Sequence, residues 1–182
     1  MYYEFLANGF EEIEALATLD ILRRAGIDVR TVGIGGRTVT GSHNITVVAD
    51  ICEQDIDRDK AEGIILPGGM PGTIGLERSQ TVGEMISLAA EKGLIIAAIC
   101  AAPSILGHKM LLKGKKAVCF EGFEEQLIGA TVLNKAAVKD GNIITACGAG
   151  AAFEFGFMIV KYIKGGDAAD HLRASMLCGR TI

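Results

Sequence analysis

The stretch LIIAAICAAP at 94–103 decides how the rest of the chain is read. Leu94–Ile99 is an unbroken apolar run, as expected of a strand buried on both faces of a parallel sheet. Cys100 ends that run, and Ala101-Ala102-Pro103 opens a helix directly behind it. Working outward, the same alternation recurs. Strands are expected at Tyr2–Ala7, Ile27–Ile34, Gly63–Leu66 and Lys116–Phe120. Helices are expected at Glu11–Ala25, Thr81–Lys92, Ala149–Ile163 and Asp167–Leu177. Arg37–Thr40 and Ile45–Ala49 suggest a small ribbon across Gly41–Asn44, and Asp140-Gly141 between Ala136–Lys139 and Asn142–Ala146 is a hairpin signal. Strands that alternate with helices imply βαβ units. The expected fold is α/β, a doubly wound, mostly parallel sheet with helices on both faces. With no repeat, low-complexity segment or linker, residues 1–182 read as a single domain.

Composition narrows the function. The chain has 182 residues, 49% of them hydrophobic, and a formal net charge of -4. A chain of this size can bury roughly 70% of its unfolded surface without disulfide staples. A mild acidic balance without a Lys/Arg run argues against nucleic acid or an anionic membrane as partner. No apolar stretch of about 18 residues occurs, so no bilayer span is expected. MYYEFLANGFEE lacks the basic and apolar regions of a secretory signal. The five cysteines are widely spaced and form no CxxC pair. That suits a reducing cytoplasm and argues against a disulfide framework or structural zinc site. HExxH and GxGxxG are absent, so neither a metal nor a cofactor is expected.

In an open parallel sheet, ligands bind beyond the carboxyl ends of the strands. Five irregular segments follow strands in this way: Asn8-Gly9-Phe10, Pro67–Gly72, Cys100, Phe120-Glu121-Gly122 and Gly148-Ala149-Gly150. All five are expected at one edge. Cys100 is the sharpest feature. A residue squeezed into a strand-to-helix turn is strained and presents its side chain, as in a nucleophile elbow. The following helix start favours an anion, so a thiolate at neutral pH is the expectation. A buried structural cysteine is the competing reading, kept for Cys52, Cys119, Cys147 and Cys178. Gly68-Gly69 lets backbone approach a ligand closely, and the N–H groups of Gly69 and Ala101 could form an oxyanion hole beside the sulfur.

On the first helix, Asp20, Arg23 and Arg24 centre one face, while Glu14, Thr18, Ile21 and Leu22 fall on the opposite half. Glu14 therefore lies on the flank of the buried side, where a carboxyl can stay protonated and exchange a proton with the thiolate. Glu11 and Glu12 read as first-turn acids favoured by the helix dipole. Ile13, Leu16 and Ala17 fall on the outer side, which suggests a homodimer built partly on this helix. His43, in the ribbon turn, is a candidate pocket residue. His108 points away from Cys100, and His171 is a surface residue.

GFEEIEAL (9–16), LPGGMPG (66–72), AAICAAPSIL (97–106) and GAGAAFEFG (148–156) together resemble the ThiJ/PfpI superfamily. The likeness is nearest to its DJ-one branch, that of the parkinsonism-associated deglycase. The resemblance implies a flavodoxin-like sandwich, a homodimer, an easily oxidised nucleophile at Cys100 and a protonated Glu14. It also places Gly69 and Ala101 at the anion site. The implied activity is glutathione-independent glyoxalase or deglycase action on small reactive aldehydes such as methylglyoxal and glyoxal, without a cofactor. Departures surround the pocket. Phe120 stands where some members carry His, Glu121 where Pro is frequent, and Ser42-His43 at a pocket Arg position. A rival reading is an oxidative-stress sensor or holdase in which Glu14 stabilises oxidised Cys100 with little turnover. A flavin- or nucleotide-binding flavodoxin-like module is the third.

Overall fold

The computed structural model describes residues 1–179. A seven-stranded sheet forms the centre, in the order β10-β11-β7-β6-β1-β2-β5. Its strands are β1 (Tyr2–Leu6), β2 (Val29–Gly33), β5 (Ile51–Cys52), β6 (Gly63–Leu66), β7 (Ile95–Ile99), β10 (Ala137–Asp140) and β11 (Ile143–Ala146). All pair in parallel except β10, which returns antiparallel on β11 through the expected Asp140-Gly141 hairpin. The apolar strands at the centre are buried along their whole length.

Helices cover both faces. On one side lie α1 (Glu12–Arg24), α5 (Ala152–Lys164) and α6 (Gly166–Ser175), packed on Tyr2, Ile65, Ala97, Ile99 and Ile144. On the other lie α2 (Gly72–Arg78), α3 (Gln80–Lys92) and α4 (Pro103–His108), packed on Tyr3, Phe5, Ile64 and Ile96. Alternate residues of β1 thus serve opposite layers, as the period of a strand requires. The architecture is the doubly wound α/β sandwich that the sequence suggests.

The capping chemistry is local. Glu11 accepts the N–H of Glu14 at 2.7 Å to start α1. Ser79 caps α3 through Val82 N–H, and Gly93 closes it in the left-handed region at φ 65°.

Several elements differ from expectation, among them the unforeseen edge strand β5. The Lys116–Phe120 strand shortens to β8 (Lys116–Ala117), which leaves the main sheet and pairs in parallel with β9 (Thr131–Val132). Its ladder stops because Val118 N–H turns to the Thr145 hydroxyl at 2.9 Å. The helix after Cys100 starts only at Pro103. Ala149–Ala151 is a 3-10 turn ahead of α5. Helix α2 follows the Pro67–Gly72 turn directly, where the glycines disguise it. A Cβ at Gly72 would lie 2.6 Å from Phe10 N, and one at Gly75 2.9 Å from Ala7 Cβ. These glycines are needed for close approach. The expected ribbon forms as β3 (Thr38–Thr40) and β4 (Thr46–Val48), beside the main sheet.

Gly156 sets the distance between α5 and α1. A Cβ there would sit 2.8 Å from Ile21 Cδ1 and 3.2 Å from Ile21 Cβ. Gly156→Val is expected to lower unfolding stability by about 1–3 kcal/mol through overpacking, measured by urea denaturation. An unchanged midpoint would show that the two helices part without cost.

Candidate active site

The five strand-end segments do meet. Gly9 and Phe10 touch the 69–72 turn, with Gly72 N–H on Gly9 O at 3.2 Å and Glu11 N–H on Gly68 O at 3.0 Å. Phe120 N–H donates to Cys100 O at 2.8 Å, and Cys100 N–H donates to Ala146 O at 2.9 Å. A Cβ at Gly148 would lie 3.2 Å from the Phe120 ring and 4.0 Å from Glu14 Oε1. The segment 120–122 reaches this edge from outside the main sheet rather than from one of its strands.

Cys100 sits at the end of β7 with φ 65°, a left-handed conformation uncommon outside glycine. It is one of the strained positions that cluster at functional sites. The Glu14 carboxyl faces its sulfur from the first turn of α1, and the backbone N–H groups of Gly69 and Ala101 lie near enough to favour charge on the same atom. Gly68 N–H donates to Glu14 Oε2 at 2.9 Å. A Cβ at Gly68 would fall 2.7 Å from Cys100 Cβ and 2.7 Å from Glu14 Oε2. Only glycine lets the two side chains close on each other.

Burial raises Glu14 to about 7, against the lowering hydrogen bonds from Cys100 and Gly68. The expected raised acid is therefore present. The thiol differs from expectation. Burial, then the Glu14 charge and its hydrogen bond, push Cys100 up to about 12, although the Gly69 and Ala101 N–H groups pull the other way. Helix α4 gives little help, because it is only six residues long and begins three residues later. Two groups this close lose protons as a pair, not as independent sites. Between about 7 and about 12 the pair holds one proton, on sulfur or on carboxyl.

The other candidates lie around this core. Phe120 is half-exposed, its ring against Gly148. Glu121 faces a neighbouring cavity of about 800 Å³ that Cys119, Glu124, Lys135 and Cys147 also line. Cys119 is buried, and burial followed by the Glu124 charge raises it to about 11. His43 is largely exposed and turns to Glu12, whose Oε2 lies 2.9 Å from its Nδ1. It is not among the groups the structure places on Cys100.

Glu12 corrects the reading of a plain first-turn acid. It is buried and fastens the ribbon turn, accepting His43 N–H at 2.7 Å and Ile45 N–H at 3.3 Å. Burial alone would raise it, but the His43 side-chain and backbone bonds outweigh that and bring it down to about 2. Among the described residues, one group of metal-ligating atoms lies within 4.8 Å of one another: Glu11, Glu12 and His43. Glu12 spends its oxygens on the turn, so the cluster reads as a fastening. On α1, Ile13 is exposed as expected, whereas Leu16 and Ala17 are half-buried rather than outward. His108 pairs with Glu77 away from the sulfur, and His171 is exposed.

A strained cysteine at the carboxyl edge of a doubly wound sheet, closed on by a buried acid from the first helix, defines a class of cysteine-centred α/β sandwich proteins. The chain belongs to the DJ-1/PfpI family, whose sequence signature matches residues 3–162. It is 35% identical to Protein dj-1beta of Drosophila melanogaster over 175 residues, covering 94% of each chain. It is 30% identical to the glutathione-independent glyoxalase DJR-1.2 of Caenorhabditis elegans, covering 89% of this chain and 87% of the relative. The crystal structure of Drosophila melanogaster DJ-1beta superposes with a TM-score of 0.92 at 32% identity, covering 98% of both chains. The fold is thus the flavodoxin-like fold of this family.

The coupling of the two groups gives a signed prediction. Glu14→Gln removes the charge and hydrogen bond that raise the thiol. Cys100 in that variant should titrate below about 12 and alkylate faster than wild type at alkaline pH, followed by iodoacetamide kinetics with intact mass. A thiol that alkylates no faster would mean the carboxyl does not act on it.

Proposed function

We propose that this chain is a cofactor-independent enzyme that converts small 2-oxoaldehydes such as methylglyoxal and glyoxal to 2-hydroxy acids, or removes them from amine and thiol adducts. The observation that carries the reading is the closure of the buried Glu14 carboxyl on one strained cysteine across Gly68. The glyoxalase among its relatives supports the substrate class.

In the one-proton state, Cys100 sulfur attacks the aldehyde carbon and forms a C–S bond. If the proton starts on sulfur, the Glu14 carboxylate accepts it as the bond forms. The N–H groups of Gly69 and Ala101 stabilise the developing oxyanion, which is then protonated to a hemithioacetal. Glu14 removes the proton from the former aldehyde carbon as the adjacent ketone oxygen takes up a proton, giving an enediol, and then returns a proton to the adjacent carbon as the hydroxyl on the sulfur-bearing carbon gives up its own. This gives a 2-hydroxy thioester with no net oxidation. Water cleaves the thioester, releasing the 2-hydroxy acid and restoring the thiol. The sum is addition of one water to the oxoaldehyde. A base poised near 7 suits this task at neutral pH.

Phe120 borders the site, where it would bear on substrate range, and Glu121 lines the cavity next to it. We also infer a homodimer through α1. Ile13 is 54% exposed on that helix, a large apolar side chain facing outward. Among the described residues no helix is long and apolar enough to cross a membrane.

Cys100→Ser should abolish lactate formation from methylglyoxal, and Glu14→Gln should lower kcat by about 10²–10⁴-fold. Full activity in either variant refutes the assignment. For the wild type, kcat/KM should rise as pH increases through about 7, where the pair passes from two protons to one, and then level off. A profile that falls through this range would contradict the mechanism. The competing sensor reading predicts negligible turnover and a stable gain of two oxygens on Cys100 after peroxide treatment.

A further inference from the structure

Away from the site, one buried group has no evident use. Glu4 lies in the middle of β1 and is completely buried. Its neighbours on the adjoining strands are Thr31 of β2 and Ile65 of β6. Among the described residues, the buried side-chain polar atoms without a hydrogen-bond partner are three: both Glu4 carboxyl oxygens and the Thr18 hydroxyl.

The two residues belong to the same layer. Tyr3 and Phe5 pack on the α2–α4 side, so strand alternation puts Glu4 on the side of α1 with Tyr2. Helix α1 runs back along β1. Its Ala15 clusters with Leu6, and its Ile21 and Leu22 cluster with Tyr2. Thr18 lies between Ala15 and Ile21 on that helix. It is also one turn beyond Glu14 on the same buried stripe.

A carboxylate stripped of water and hydrogen bonds is far costlier to bury than the neutral acid. The charged groups that bear on Glu4 do not rescue the anion. Burial dominates, Arg23 of α1 favours the charge, and Asp50 opposes it. Arg23 is already bonded to Asp50 at 2.5 Å, and Asp50 also accepts from the Thr31 N–H and hydroxyl. That pair is closed on itself. Glu12 and Glu14, the buried acids of α1, bring no positive charge.

We propose that Glu4 is a buried neutral acid in the layer between β1 and α1, so that folding takes up a proton and the stability of that layer falls as pH rises. The sign follows from linkage. Below the ordinary carboxyl value of 4.5 the acid is neutral whether folded or unfolded, and there is no effect. Above it, the unfolded chain releases the proton and the folded chain keeps it. Stability then falls by about tenfold in the folding constant for each pH unit, until the folded acid itself ionises. The inference does not depend on the chemistry assigned to Cys100.

The test compares urea unfolding of wild type and Glu4→Gln between about pH 5.5 and about pH 8.5. Glu14 contributes equally to both chains and cancels. The folding constant of Glu4→Gln relative to wild type should rise about tenfold per pH unit. A ratio that stays flat across the range overturns the proposal. If Glu4→Gln does not fold, infrared spectroscopy of the folded Glu14→Gln protein at about pH 8 decides the question, at a pH where an ordinary carboxyl is ionised. A protonated-carboxyl band there, insensitive to solvent pH while the fold persists, supports a neutral Glu4. Its absence from the folded protein overturns the claim.

Discussion

The left-handed turn at Cys100 is the constraint on which the site depends. A residue with a Cβ at φ 65° is unfavourable by about 1–2 kcal/mol. The conformation persists because the surrounding backbone fixes it at both ends. Cys100 N–H is held by Ala146 of β11, and its carbonyl is held by Phe120 N–H. The sulfur is thereby turned out of the strand direction and toward Gly68. Gly68 can meet it only without a side chain, and that leaves room for the Glu14 carboxyl to reach both the sulfur and the Gly68 N–H. Strain at one residue thus brings together three groups that lie far apart in sequence: the Cys100 sulfur, Gly68 and Glu14.

The consequence is electrostatic. Burial disfavours charge on either partner, so the thiol and the carboxyl cannot both ionise near neutrality. One proton remains between them. The backbone N–H groups of Gly69 and Ala101 favour a negative sulfur, whereas a charged Glu14 opposes it. Nucleophile activation is therefore a transfer within the pair. It does not require a thiol with an intrinsically low pKa. The same layer repeats the theme at Glu4, where no partner shares the proton.

Much of this was legible in the sequence, for physical reasons. Apolar runs such as LIIAAI can only be satisfied by burial on two faces, and that fixed the parallel sheet. Helical periodicity placed Glu14 on the buried stripe of α1, and the strand-to-helix transition singled out Cys100. What escaped was governed by tertiary contact. The Pro67–Gly72 turn hides the start of α2, whose Gly72 and Gly75 allow it to pack against Gly9, Phe10 and Ala7. Glu12 resembles any acid in a first turn until the ribbon folds back onto it. The thiol was expected to ionise readily because helix position was visible in the sequence. The depth of burial and the charge of the facing acid were not. Glu4 carried a signal that periodicity could have exposed, since an acid within an otherwise apolar strand has no solvent face available.

The most direct measurement is the pH titration of the Glu14 side-chain carboxyl by carbon NMR in selectively labelled wild-type protein. If the acid and the thiol share a proton, the carboxyl resonance should titrate near 7. A midpoint at the ordinary value of 4.5 would mean that Glu14 is a plain carboxylate at neutral pH, and that the proton-sharing account of this site is wrong.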